Sequence, residues 1–259
     1  MHRSNFLVAA LLAIPLGRSA RAEQVLVTHI QRPMHRSMVA RTETGQIIAN
    51  VEFSQSVKGA QVTMRLIYRF LDGSMDDETT TYTQQGMFRL VRDRHIQKGP
   101  FFARPYDFTV EADTGLATIR SPDENGKARF QSKHIDLPYD LANGIVGTLL
   151  LNVPYRPQPF RVGILAPVDG GRLIRIRISP EGEQSFQQAG QNLKAAVFRI
   201  HPELGGIVGL IAMLIGVEPK DVMVWVKEGE QPEVVRIVGQ LGGYGPVIDS
   251  GLDGTSFGK

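Results

Sequence analysis

From Gln46 onward, apolar residues recur at every second position, the period of strands that bury one face. Ile47, Ala49, Val51 and Phe53 fall on one side, with Ile48, Asn50, Glu52 and Ser54 on the other. Val62, Met64, Leu66, Tyr68 and Phe70 repeat the pattern against Thr63, Arg65 and Arg69. Leu71-Asp72-Gly73-Ser74 then supplies turn chemistry before a threonine-rich run, Glu78 to Thr83, whose β-branched side chains suit a pleated surface.

Three hairpins are predicted. Phe108 and Val110 are followed by Leu116 and Thr118 across Asp113-Thr114-Gly115. Phe160, Val162 and Ile164 lead into Pro167-Val168-Asp169-Gly170-Gly171, and Ile174, Ile176 and Ile178 return with Arg175 and Arg177 facing the other way. Asp-Gly between alternating runs is a strong short-range hairpin signal. The last joins Val222–Lys227 to Val234–Val238, turning at Glu228-Gly229-Glu230-Gln231. Trp225 lies in that first strand and reads as core.

Two segments break the period of two. Asp140 to Asn152 follows Pro138 and stops before Pro154, with Asp140 as a plausible N-cap and Leu141, Ile145, Leu149 and Asn152 at helical spacing. It predicts one helix of about three turns. Leu204 to Val217 is 14 residues without a charge, apolar on all sides and too short for a transmembrane helix. It reads as a buried core segment, with a lid over an apolar cavity or a membrane-dipping surface as alternatives.

The expected fold class is therefore all-β, or β-dominated α+β: a curved antiparallel sheet or half-open β-barrel with one or two short helices. A single β-rich domain would span 23–259, with 23–44 and 251–259 loosely ordered. Nothing in the chain repeats.

The first 22 residues change the compartment. Arg3 begins a positive n-region, Phe6 to Leu16 is an apolar run, and Ala20-Arg21-Ala22 is a small-x-small cleavage site, the layout of a secretory signal peptide cleaved after Ala22. A periplasmic or secreted protein is expected, with no transmembrane segment in the mature chain. Arg3, Arg18 and Arg21 account for the whole formal charge of +3, since the segment holds no acid. The mature chain is neutral, so the pI of 9.2 gives no support for a nucleic-acid partner. With no cysteine, thiol nucleophiles and cysteine zinc sites are excluded.

The catalytic vocabulary is nearly silent: there is no G-x-S-x-G, H-E-x-x-H, P-loop or EF-hand loop, and no cofactor is implied. Three histidines stand two residues from a carboxylate, as Asp93/His95, His134/Asp136 and His201/Glu203. On a strand such pairs share a face. If His95 and Asp93 converged with His134 and Asp136, a hydrolytic or metal site would follow. If not, they are the solvated face of a sheet. Gly99 to Tyr106 packs Phe101, Phe102 and Tyr106 among two prolines and Arg104, either as an aromatic rim over a pocket or as a crossover whose Phe side chains plug one end.

Lys133–Val153 and Leu210–Val247, with a Leu-Pro before a short helix, a Pro-Lys-Asp then Trp strand and a closing Gly-Pro-Val strand, resemble a group of bacterial exported proteins classed as a domain of unknown function (DUF3108-like). The resemblance implies a curved sheet around a helix, similar in outline to periplasmic lipoprotein carriers, and hence an apolar concavity. The expectation is a non-enzymatic protein that binds a lipid or other hydrophobic ligand, or a cell-envelope partner. Phe101, Phe102 and Tyr106 would form the rim, and Leu149, Leu210 and Leu214 the plug. A metal-dependent or His/Asp hydrolase and a structural envelope-assembly protein are the rival readings.

Overall fold

A computed structural model describes residues 25–203, 219–241 and 245–257. Among them the alternating pattern is realised almost throughout. Strands β1 (Met34–Arg41), β2 (Ile47–Lys58), β3 (Gln61–Phe70), β4 (Met75–Gln85), β5 (Met87–Lys98), β6 (Tyr106–Glu111), β7 (Leu116–Pro122) and β8 (Ala128–His134) form an antiparallel meander. After the short helix α1 (Val146–Leu150) come β9 (Phe160–Ala166), β10 (Arg172–Gln188) and β11 (Gln191–Glu203). The chain closes with β12 (Val222–Lys227), β13 (Glu233–Gln240), β14 (Val247–Leu252) and β15 (Thr255–Phe257). All belong to one curved antiparallel sheet, the β-dominated architecture expected from the pattern.

The two arms of the sheet meet where β1 pairs with both β2 and β14. That strand comes from a stretch expected to be loose. Its sequence, MHRSMVAR, shows little alternation, and only pairing on both edges makes it a strand. Within the C-terminal stretch, Thr255–Phe257 form a strand because they pair with the end of β10. β10 is long enough to hold β9 and β15 along the same edge. A register shift between Pro180 and Gly182 lets its two halves present opposite alternation.

The predicted hairpins form with differing fidelity. Ile174, Ile176 and Ile178 face Ile164, Val162 and Phe160, as the sequence indicates, across a turn with positive φ at Asp169, Gly170 and Gly171. Between β6 and β7, however, Phe108 and Val110 face Ile119 and Ala117, not Leu116 and Thr118. One residue of loop reversed the face, which is the smallest error a period of two permits.

The inner face of the sheet wraps the segment around α1. Leu141, Ala142, Ile145, Leu149 and Leu150 are buried in one cluster with Val62, Tyr82, Phe108 and Val110 from one arm and Phe160, Ile176, Phe198 and Val224 from the other. Each fully buried aliphatic side chain there contributes about 1.5–3 kcal/mol. The helix is far shorter than three turns. Gly144 has φ +65° and interrupts it, and Asp140 forms an ion pair with Arg175 instead of an N-cap. The residues before Gly144 act as a strip of edge. Leu141 bridges Gly163, the Ala142 amide donates to the Gly163 carbonyl at 2.8 Å, and Asn143 takes both backbone groups of Leu165, accepting from N and donating to O at 2.8 Å each. The exposed edge of β9 is thereby covered, as buried or accessible edges require.

A second cluster unites Met38, Ala40, Val51, Tyr68 and Phe70 with Phe186, Val197, Trp225 and Ile248. Trp225 is core, as expected, and its indole N–H donates to Gln184 at 2.7 Å. Leu204–Val217 lies outside the described residues.

Candidate functional site

The strands β2 to β6 present three parallel rows of side chains to the inner face, one residue per strand. The first row, Gln55, Met64, Thr80, Asp93 and Val110, is buried at every position. So is Val51, Tyr68, Asp76 and Gln97, which runs on to half-buried Tyr106. Between them lies Phe53, Leu66, Glu78 and His95, and all four keep contact with solvent. Phe108, which ends this middle row, is buried. A solvent-reachable band thus crosses the inner face, apolar at the β2–β3 end and ionisable at the β4–β5 end.

The ionisable end is a connected group. Asp76 Oδ2 accepts from His95 Nε2 at 3.0 Å and from the Gln97 amide at 2.7 Å. The other imidazole nitrogen, Nδ1, lies 2.9 Å from the Tyr106 hydroxyl, whose ring meets the imidazole edge-on. Asp93 Oδ1 accepts from the Thr80 hydroxyl at 2.7 Å, while Asp93 Oδ2 is buried without a partner. Gly144 packs directly over this pair, so close that a Cβ on it would meet Thr80 Oγ1 at 1.9 Å.

Burial and crowding set the protonation of the group. Burial, reinforced by the charge of Asp93, pushes the Glu78 carboxyl up to about 8. Burial likewise raises Asp93 to about 6, against the opposing hydrogen bond from Thr80 and the charge of His95. For His95, burial acts downward, but the charge and hydrogen bond of Asp76, with Glu78 and Asp93 behind them, hold it up at about 9. At neutral pH the imidazolium is paired with Asp76, and Glu78 is largely protonated.

Of the residues singled out from sequence, His95, Asp93 and Tyr106 come together on β5 and β6. His95 is bonded to Asp76 on the neighbouring strand and not to Asp93 on its own. His134 is exposed on β8, with Nδ1 3.2 Å from the Thr114 carbonyl, and Asp136 is exposed beyond it. The two histidine pairs do not converge. Among the described residues no three of His, Cys, Asp and Glu are arranged to hold a metal ion.

Phe101 and Phe102 pack on Phe70, with ring centroids 4.1 and 5.6 Å away, and the Phe101 amide donates to Ser74 Oγ at 2.9 Å. Both rings pack against the second cluster, and of the three Tyr106 contacts the band, through His95. Leu149 is buried against the sheet. Leu210 and Leu214 lie outside the described residues. Sequence reasoning missed Asp76, Glu78, Phe53 and Leu66 as a group. A Glu and an Asp at inward positions of a strand were a signal for the first two.

Elsewhere, a shallow cleft of about 350 Å³ lies between Arg41, Arg236, Asp249 and Phe257. Its Arg236 is already engaged, bidentate with Asp249 and stacked on Trp225 and Phe257.

No protein-family model matches the sequence, and no curated protein matches it. The DUF3108-like assignment is therefore not supported. The structure is similar to the crystal structure of a beta-barrel-like protein of a domain of unknown function, DUF1849, from Brucella abortus, with a TM-score of 0.44 and 8% sequence identity over 89% of this chain and 100% of the other.

Proposed function

We propose that this is an exported, barrel-like protein that binds a small hydrophobic molecule along the band Phe53–Leu66–Glu78–His95, and that it is not an enzyme. The observation that carries the reading is the band itself. Packed layers close the inner face on either side of it, yet these four residues keep solvent contact. A partly apolar concavity with a few fixed polar groups is the usual form of a small-molecule site. The leader-like first 22 residues support export to the periplasm. No helix among the described residues is long and apolar enough to cross a membrane. The outer faces of β3 to β6 carry ion pairs such as Arg65–Asp77 and Arg94–Asp107.

Native mass spectrometry on protein recovered from the periplasm, followed by organic extraction, tests this reading. A discrete apolar mass is expected, absent from a folded Leu66→Asp variant. A clean apo mass in the unaltered protein, together with no uptake of the neutral dye Nile red, would overturn it.

A partner from the cell envelope is the second reading, favoured by β8. Among the described residues that strand pairs with β7 alone; it is exposed at six of its seven positions and displays Phe130 to solvent. An open edge of this kind accepts an added strand.

A further inference from the structure

We propose that the molecule bound along the band carries a protonated amine, held by the carboxylate of Glu78 beside Asp93, with its apolar body on Leu66 and Phe53. The inference rests on the binding reading above and names the chemistry of the head.

Three observations support it. The first is the separation of charge across the sheet. Every Arg and Lys in β2 to β6 occupies an outward position, where Arg65, Arg69, Arg92 and Arg94 pair with Asp77, Glu52, Glu111 and Asp107. The inward positions of the same strands hold Asp76, Glu78 and Asp93 against a single imidazole, His95, which Asp76 already engages.

The second is unmet acceptor capacity. Asp93 is 1% exposed and its Oδ2 has no hydrogen-bond partner. Glu78 makes no hydrogen bond to any described residue, although it is half-buried and faces the band. A carboxylate withdrawn from water takes up either a proton or a cationic donor. An ammonium has three donors, enough to serve Glu78 and a neighbour together. The third is what lies next to the acids. Leu66 sits directly across the ladder from Glu78, and Phe53 across from Leu66, so a head at Glu78 places an alkyl tail on apolar surface.

A proton and an ammonium compete for the same carboxylate. With Glu78 held protonated up to about 8, amine binding releases a proton and tightens as pH rises through that range.

Isothermal titration calorimetry on the exported protein, with octylammonium, octanol, octanoate and ethylammonium as probes, tests the proposal. Octylammonium should bind about tenfold more tightly than octanol, the worth of one charge-assisted contact. Its affinity should rise between about pH 6 and about pH 8.5, and that of octanol should not. Glu78→Gln, which keeps shape and removes charge, should abolish the preference for octylammonium over octanol and its pH dependence. Asp93→Asn, checked for folding by circular dichroism, should weaken octylammonium selectively.

If octanol and octanoate bind as well as octylammonium, the amine assignment is wrong and the apolar reading stands. If ethylammonium binds as tightly as octylammonium, the apolar reading fails and the carboxylate site stands alone. If no probe binds, both fall.

Discussion

His95 on β5 and Asp76 on β4 are diagonal neighbours across the ladder, and the imidazole Nε2 donates to the carboxylate at 3.0 Å with the two side chains 18% and 5% exposed. The register explains the choice. Asp76 faces Gln97 and Glu78 faces His95, so the imidazole stands across from one carboxylate and bonds the diagonal one, Asp76. In this setting the ion pair is largely withdrawn from water, and removing Asp76 would leave a buried imidazole with a reason to give up its proton.

The pH dependence of stability follows from these shifts. His95, Glu78 and Asp93 all have folded values raised above the ordinary ones, to about 9, about 8 and about 6. Each group therefore contributes stability that is present below its unfolded value and lost as pH rises toward its folded value. The melting temperature should fall as pH rises from about 5 to about 9, with Glu78→Gln flattening the lower part of the decline and Asp76→Asn the upper part. Thermal melts across that range check it. A melting temperature that rises over the same interval would contradict the protonation pattern.

Asn143 closes the edge of β9 with two side-chain to backbone hydrogen bonds to Leu165, both buried. Asn143→Ala leaves an N–H and a C=O without partners. The expected loss is about 2–4 kcal/mol in urea denaturation, since each unsatisfied buried group costs about 1–3 kcal/mol. Gln, one methylene longer, should not restore the pairing.

Gly144 tests the packing over the acids. An Ala there would need both φ +65° and room that Thr80 occupies, with Thr80 Cβ 3.0 Å and Asp93 Oδ1 3.1 Å from the added carbon. Gly144→Ala should cost about 2–4 kcal/mol, combining backbone strain with overpacking. It should also open the Thr80–Asp93 hydrogen bond, read as a shift in the Asp93 titration by carboxyl NMR. A variant as stable as the parent would mean that the loop does not bear on Asp93.

What could be read from the sequence was set by the range of each signal. The β9–β10 hairpin was legible to the residue, because Asp169-Gly170 and the three isoleucines are local. The architecture was legible for the same reason, as strand after strand alternates. The long helix was overcalled because Leu141, Ile145 and Leu149 do share a buried face, yet they do so through a Gly-broken turn and one short helix. β1 was missed because its burial comes from β2 and β14, which no local pattern encodes.

The site was half legible. Residues two apart on a strand are about 6.6–6.8 Å apart along it, whereas directly facing residues on adjacent strands have Cβ atoms about 4.5–5.5 Å apart. Pairing His95 with Asp93 on its own strand therefore selected the right face and the wrong partner. The nearer acids on β4 depended on register, which a bare sequence does not carry.

The most direct test of the binding band is chemical-shift mapping of isotope-labelled protein with octylammonium. The account predicts saturable shifts at Phe53, Leu66, Glu78, His95 and Tyr106, with the cleft at Arg41, Arg236 and Phe257 unmoved. Shifts confined to that cleft, or none at the band at saturating probe, would contradict it.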